Sequence, residues 1–83
     1  MKYTIKIEKK AMKFIKKQSK EKASHILKAI YQLPNGDTKP IQGHKELYRL
    51  RVGDFRIIYT IDNGQYIICV IDANNRGDIY KRY

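Results

Sequence analysis

Leu47–Tyr59, LYRLRVGDFRIIY, decides the fold. Val52 and Phe55 flank Gly53-Asp54, and a leading glycine in a two-residue loop suits a type II′ turn joining antiparallel strands. That closure pairs Val52 with Phe55, Arg51 with Arg56, Leu50 with Ile57, Arg49 with Ile58 and Tyr48 with Tyr59. Side chains alternate along a strand, so Tyr48, Leu50, Val52, Phe55, Ile57 and Tyr59 share one face while Arg49, Arg51 and Arg56 share the other. Downstream, Asn63-Gly64 predicts a type I′ hairpin pairing Ile61 with Tyr66, Tyr59 with Ile68 and Ile57 with Val70, which extends the apolar face. Opposed like charges such as Arg51 and Arg56 cost a sheet up to about 1 kcal/mol unless an anion lies between them. Two readings follow for the arginines: an ordinary solvated outer face, or a cluster built to hold an anion.

Working toward the N-terminus, Lys2 to Ile7 alternates and reads as a strand buried on one side. From Glu8 to Lys17 the period lengthens, with Ala11, Phe14 and Ile15 as a narrow apolar stripe among lysines, and a short helix is expected. Ser19 caps a second helix reaching about Leu33, with a stripe of Ala23, Ile26, Leu27, Ile30 and Tyr31, stopped by Pro34-Asn35-Gly36-Asp37. Asn35 to Lys45 reads as a polar loop, and the last strand ends at Asp72. The expected fold class is therefore α+β: an N-terminal strand, a two-helix hairpin, then a three-stranded antiparallel meander. The helices cover the apolar sheet face and leave the arginine face open.

With 83 residues the chain makes one domain, residues 1–83. Eighteen Lys and Arg against eight Asp and Glu give a net charge of +10, a field suited to polyanionic partners, nucleic acid or an acidic protein. Ten of the thirteen lysines precede residue 30. They serve as a solvated helix surface or, with the arginines, as the wall of a channel for a phosphate backbone. Membrane binding is not expected, because the lysine-bearing helices keep no wide apolar face for lipid and no stretch could span a bilayer. Met1 leads directly into a strand without a signal peptide, so a cytoplasmic location is expected. The single Cys69, within YIICVI, reads as a small packed hydrophobe.

The motifs exclude much. The sequence has no glycine-rich phosphate loop, no Cys/His metal spacing and no nucleophile triad, and its acids are too scattered for a two-metal site, so no cofactor is expected. His25 falls on the polar side of the second helix; His44, in the loop, is the better proton carrier. RNA cleavage through the substrate's own 2′-hydroxyl survives this elimination. It requires in-line geometry and cationic donors around the phosphate, which arginine forks supply, with an aromatic such as Tyr80 to stack an unpaired base.

GHKELYRLRVGDFRIIYTI followed by VIDANNRGDIYKRY resembles the second half of the RelE toxins in the RelE/ParE superfamily of bacterial toxin-antitoxin systems, and the element order extends the likeness over the whole chain. The resemblance implies a ribosome-dependent endonuclease that cuts messenger RNA in the decoding site. It also implies neutralisation by a RelB-like antitoxin, acidic overall, with operator DNA bound only through the antitoxin complex. The family's functional positions fall on Arg49, Arg51, Arg56, Arg76 and Tyr80. RelE itself has lysines where this chain has Arg49 and Arg51, and arginine is a far poorer general base. Some relatives place a histidine where this chain has Asn74 and Asn75. The base is accordingly left among Tyr80, His44 and ribosomal RNA. Two other readings stand beside the nuclease: a ParE-like gyrase inhibitor on the same scaffold, and a non-catalytic RNA-binding or repressor module.

Overall fold

A computed structural model describes residues 3–43 and 46–75. Its elements are β1 (Thr4–Ile7), α1 (Lys9–Lys16), α2 (Lys20–Tyr31), β2 (Thr38–Pro40), β3 (Tyr48–Val52), β4 (Phe55–Asp62) and β5 (Ile67–Asn75). The strands form one sheet in the order β1-β5-β4-β3-β2, in which β1 runs parallel to β5 and the other neighbours are antiparallel. This is the expected α+β plan with one more strand. The polar loop contains β2, which pairs Thr38 with Leu50, Lys39 with Arg49 and Pro40 with Tyr48. Three residues ending in proline carry too little pattern to read as a strand, and proline suits an edge position because it has no N–H to leave unpaired.

The β3–β4 hairpin has the expected register at all five pairs, and Gly53 adopts φ +57° as the leading position of a primed turn requires. The β4–β5 hairpin does not follow the type I′ expectation. Neither Asn63 nor Gly64 has a positive φ; a four-residue loop, 63–66, closes on Tyr66 at φ +54°. Asp62 Oδ1 accepts from Gln65 N at 3.1 Å, Tyr3 donates its hydroxyl to Asn63 Oδ1 at 2.8 Å, and Thr4 N donates to Tyr66 O at 2.8 Å. These contacts, one within the loop and two from Tyr3 and Thr4, offset the cost of a left-handed tyrosine, about 1–2 kcal/mol. Tyr59 consequently pairs with Val70 and Ile61 with Ile68. The slip is two residues, so every side chain keeps its face.

A bulge at Ile58/Tyr59 then carries β5 past the expected stop at Asp72 to Asn75. Continued without the bulge, the register would set Asp72 opposite Ile57 and place a carboxylate in the core. With it, Ala73 pairs with Ile57, and Asp72 pairs with Ile58 on the other face.

Ala11 and Ile15 of α1 and Ile26 and Ile30 of α2 pack against Leu50, Val52, Ile57, Tyr59, Ile68 and Val70. At about 25 cal/mol per Å2 of apolar surface, this burial is the main force holding the domain. Ser19 Oγ accepts from Lys22 N at 3.3 Å, capping α2 as expected. Tyr31 departs from expectation: counted in the α2 core stripe, it is 61% exposed. The core has room for Ile26 and Ile30, and the stripe is wider than the sheet can cover.

Candidate cationic site on the sheet

Alternation places Arg49, Arg51 and Arg56 on the sheet face away from the helices. Cross-strand pairing arranges that face in two rows, one of Lys39, Arg49, Ile58 and Asp72, the other of Arg51, Arg56 and Asn74. The expected common face of the three arginines is met in the register. Their expected openness is not. Arg51 is exposed, Arg49 is partly buried and Arg56 is only 6% exposed. Ile58, 1% exposed yet outside the core cluster, shows that this face is itself covered at its centre. Sequence pattern could not reveal this, because an arginine in a hairpin looks the same whether its stem lies in solvent or in a packed layer.

Each guanidinium has a distinct setting. Arg56 Nη1 donates to Phe55 O at 3.4 Å, a long bond that steers the fork of a buried cation. Arg49 Nη1 lies 3.9 Å from Asp37 Oδ1, an ion pair beyond hydrogen-bond range, and among the described residues this buried nitrogen has no hydrogen-bond partner. Asp37 is also tied to β3 through its carbonyl, which accepts from Arg51 N at 2.9 Å. Asp72, 1% exposed, accepts from Ala73 N at 2.9 Å and meets Lys10 Nζ at 3.3 Å. The face thus carries four cations, Arg56 buried, Arg49 partly buried, Arg51 and Lys39 exposed, with a carboxylate near each end. Buried, pre-oriented guanidinium groups can bind a phosphate and stabilise charge building on it without reorganising.

Lys39 was missed by the sequence reading and joins the array because β2 exists. The available signal was weak: Thr38-Lys39-Pro40 alternates for only three residues. Arg76, Tyr80 and His44 lie outside the described residues. Elsewhere, burial pushes the Tyr59 hydroxyl up, with a Thr38 hydrogen bond opposing and Tyr48 adding to the rise. Burial and then Glu8 push the Cys69 thiol up, Lys6 partly opposing. Among the described residues no group of three His, Cys, Asp or Glu could hold a metal, and no helix is long and apolar enough to cross a membrane.

A helical hairpin on one side of a mixed five-stranded sheet is the fold this chain shares with solved RelE toxins. The archaeal RelE in the RelE–RelB complex of Pyrococcus horikoshii superposes with a TM-score of 0.77 at 26% identity, over 94% of this chain and 99% of that one. The toxin-antitoxin complex RelBE2 of Mycobacterium tuberculosis gives 0.78 at 17% identity, over 92% and 100%. The RelB–RelE complex of Methanococcus jannaschii gives 0.73 at 22%, over 94% and 98%. The chain belongs to the family described as ParE toxin of type II toxin-antitoxin system, parDE, whose model matches residues 5–80.

Proposed function

We propose that this toxin is a metal-independent endoribonuclease that cuts messenger RNA in the ribosomal decoding site by attack of the 2′-hydroxyl on the adjoining phosphate, and so inhibits translation. The observation that carries this reading is the pairing of Arg51 with Arg56 on the face away from the helices, flanked by Arg49 and Lys39. A phosphate seated between the opposed arginines turns an unfavourable cross-strand pair into a binding site. Arg51 is the exposed contact, while Arg49 and Arg56 act from fixed positions. Arg76 and Tyr80 complete the set as a phosphate donor and a stacking aromatic. Arginine stays protonated, so Arg51 stabilises the transition state and the proton leaves through Tyr80, His44 or ribosomal RNA. The ribosome contributes the bend that brings nucleophile, phosphorus and leaving oxygen into line.

An antitoxin that holds the toxin inactive is part of the same proposal, supported by the RelE–RelB assembly of Pyrococcus horikoshii. A net charge of +10 suits an acidic antitoxin as well as ribosomal RNA. Operator DNA is then met only through the toxin-antitoxin complex, in the cytoplasm. The ParE family match favours a second reading, inhibition of DNA gyrase. Primer extension on ribosome-bound mRNA, run beside a gyrase cleavage assay, separates the two. Protein-dependent stops at the decoding site support the nuclease. Trapped gyrase–DNA complexes without such stops support the gyrase poison, and binding to RNA with neither result leaves a non-catalytic module.

A further inference from the structure

The helix stop Pro34-Asn35-Gly36-Asp37 does more than end α2. Asn35 N donates to Gln32 O at 2.9 Å, and Gly36 turns the chain at φ +112°, where a β-carbon would be strained and would lie 3.3 Å from Leu50 Cδ1. The turn delivers Asp37 one residue ahead of β2. There Arg51 N donates to Asp37 O at 2.9 Å, which continues the β2–β3 pairing one step beyond Thr38 and Leu50. Alternation then puts the Asp37 side chain on the face of Lys39, Arg49 and Arg51. A carboxylate is thereby held by its own backbone beside the cations of the site.

The contact it makes there is with Arg49, at 3.9 Å from Oδ1 to Nη1. A charge-assisted hydrogen bond between such groups closes to about 2.7–2.9 Å and uses up the donor. At 3.9 Å the attraction persists while the N–H stays unconsumed. Arg49 Nη1 is buried and, among the described residues, has no hydrogen-bond partner, a costly arrangement until an acceptor arrives. Asp37 is 54% exposed against 15% for Arg49, so solvent screening leaves the pair little weight in stability. Its effect falls instead on where the less exposed partner points. We propose that Asp37 is a positioning residue of the anion site: its charge aims the Arg49 guanidinium and leaves Nη1 to donate to a phosphate oxygen. This inference rests on the reading of the array as a phosphate site. The same negative charge opposes an incoming phosphate, so Asp37 weakens ground-state binding while it sharpens orientation.

Asp37→Asn removes the charge and keeps the carbonyl that bonds Arg51 N. In single-turnover cleavage on programmed ribosomes, this variant should show a maximal rate lower by about tenfold or more, with a half-saturating concentration unchanged or lower. Asp37→Glu, which restores the charge, should recover most of the rate. Glu21→Gln, an equal charge change in the first turn of α2, should leave both quantities unchanged. A second readout needs no cleavage. The chain has five arginines, and the Arg49 Nε–H NMR signal is identified by its absence in Arg49→Lys. In the native chain its heteronuclear NOE should report an ordered group, and the signal should shift when a 2′-O-methylated, uncleavable single-stranded RNA is added. In Asp37→Asn it should be mobile before the RNA is added and ordered afterwards. Loss of cooperative melting in Asp37→Asn would make Asp37 a structural residue and overturn the proposal. A raised half-saturating concentration at an unchanged maximal rate, or an Arg49 signal equally ordered in both chains, would overturn it too. If the native chain fails to cut ribosome-bound mRNA, the nuclease reading falls alone and the NMR result still decides the role of Asp37. Native cutting that Asp37→Asn matches would sink this inference alone.

Discussion

Replacing Arg51 by threonine should cost activity without costing stability. Arg51 is exposed, and its Cα partner across the hairpin is Arg56, a second cation whose side chain is buried. Substitution at an exposed strand position ordinarily changes stability by about ±0.5 kcal/mol, and relief of a like-charge cross-strand pair adds about 0.2–1 kcal/mol. Threonine is well suited to a strand, and the backbone bond from Arg51 N to Asp37 O does not depend on the side chain. The expected result is therefore unchanged stability or a gain of up to about 1 kcal/mol, which for a domain of this size raises Tm by roughly 0–8 °C. Catalysis should suffer far more, because removing one donor from a preorganised anion site costs about 10²–10³ in kcat. Urea unfolding and single-turnover cleavage on programmed ribosomes read the two quantities. A matching drop in both would show that Arg51 is a structural residue, and full activity in a stable variant would remove it from the site.

Other consequences are open to equally direct measurement. Lys39→Ala should leave urea unfolding within about 0.5 kcal/mol while weakening RNA binding and lowering its salt dependence by about one phosphate contact; an unchanged salt slope would exclude Lys39 from the array. The raised Tyr59 hydroxyl makes the folded state hold its proton more tightly than the unfolded state does, so its contribution is complete below about pH 10 and is lost as pH climbs through the folded value. Tyr59→Phe should cost about 1 kcal/mol at pH 7, through the lost Thr38 hydrogen bond, and its deficit against the native chain should shrink above pH 10; a constant deficit would contradict the shift. Cys69, raised by burial and by Glu8, should react with a thiol reagent more slowly at pH 8 than an unstructured cysteine. Glu8→Gln should move that pH profile downward, and an unmoved profile would leave burial as the sole cause.

The parts of the fold that were legible in the sequence are those governed by local chemistry. Gly53-Asp54 set the β3–β4 register, and with it the common face of Arg49, Arg51 and Arg56, because a two-residue loop leaves no slack. Ser19 marked the start of α2 for the same reason. Asn63-Gly64 misled because Tyr3 and Thr4, some sixty residues away in sequence, hold a longer loop that no local signal announces. The parallel pairing of β1 with β5 is likewise a tertiary choice. Face assignments survived since the slip was even, and the bulge then moved Asp72 out of the core. At the site, residue type and register could be read but burial could not: Arg56 lies in a covered layer, Lys39 arrives on a three-residue strand, and Tyr31 projects from a stripe that alone reads as core.

If this toxin cleaves as proposed, its arginine-bearing sheet promotes attack by the RNA's own hydroxyl. The direct measurement uses mRNAs on programmed ribosomes that differ only by a single 2′-deoxynucleotide at the position cut in the all-ribose message, with the product ends analysed. The native toxin should cut the ribose message to a 2′,3′-cyclic phosphate and leave the deoxy message intact, and Arg49→Ala with Arg51→Ala should cut neither. Cleavage of the deoxy message, or unimpaired cutting by the doubly substituted chain, would contradict it.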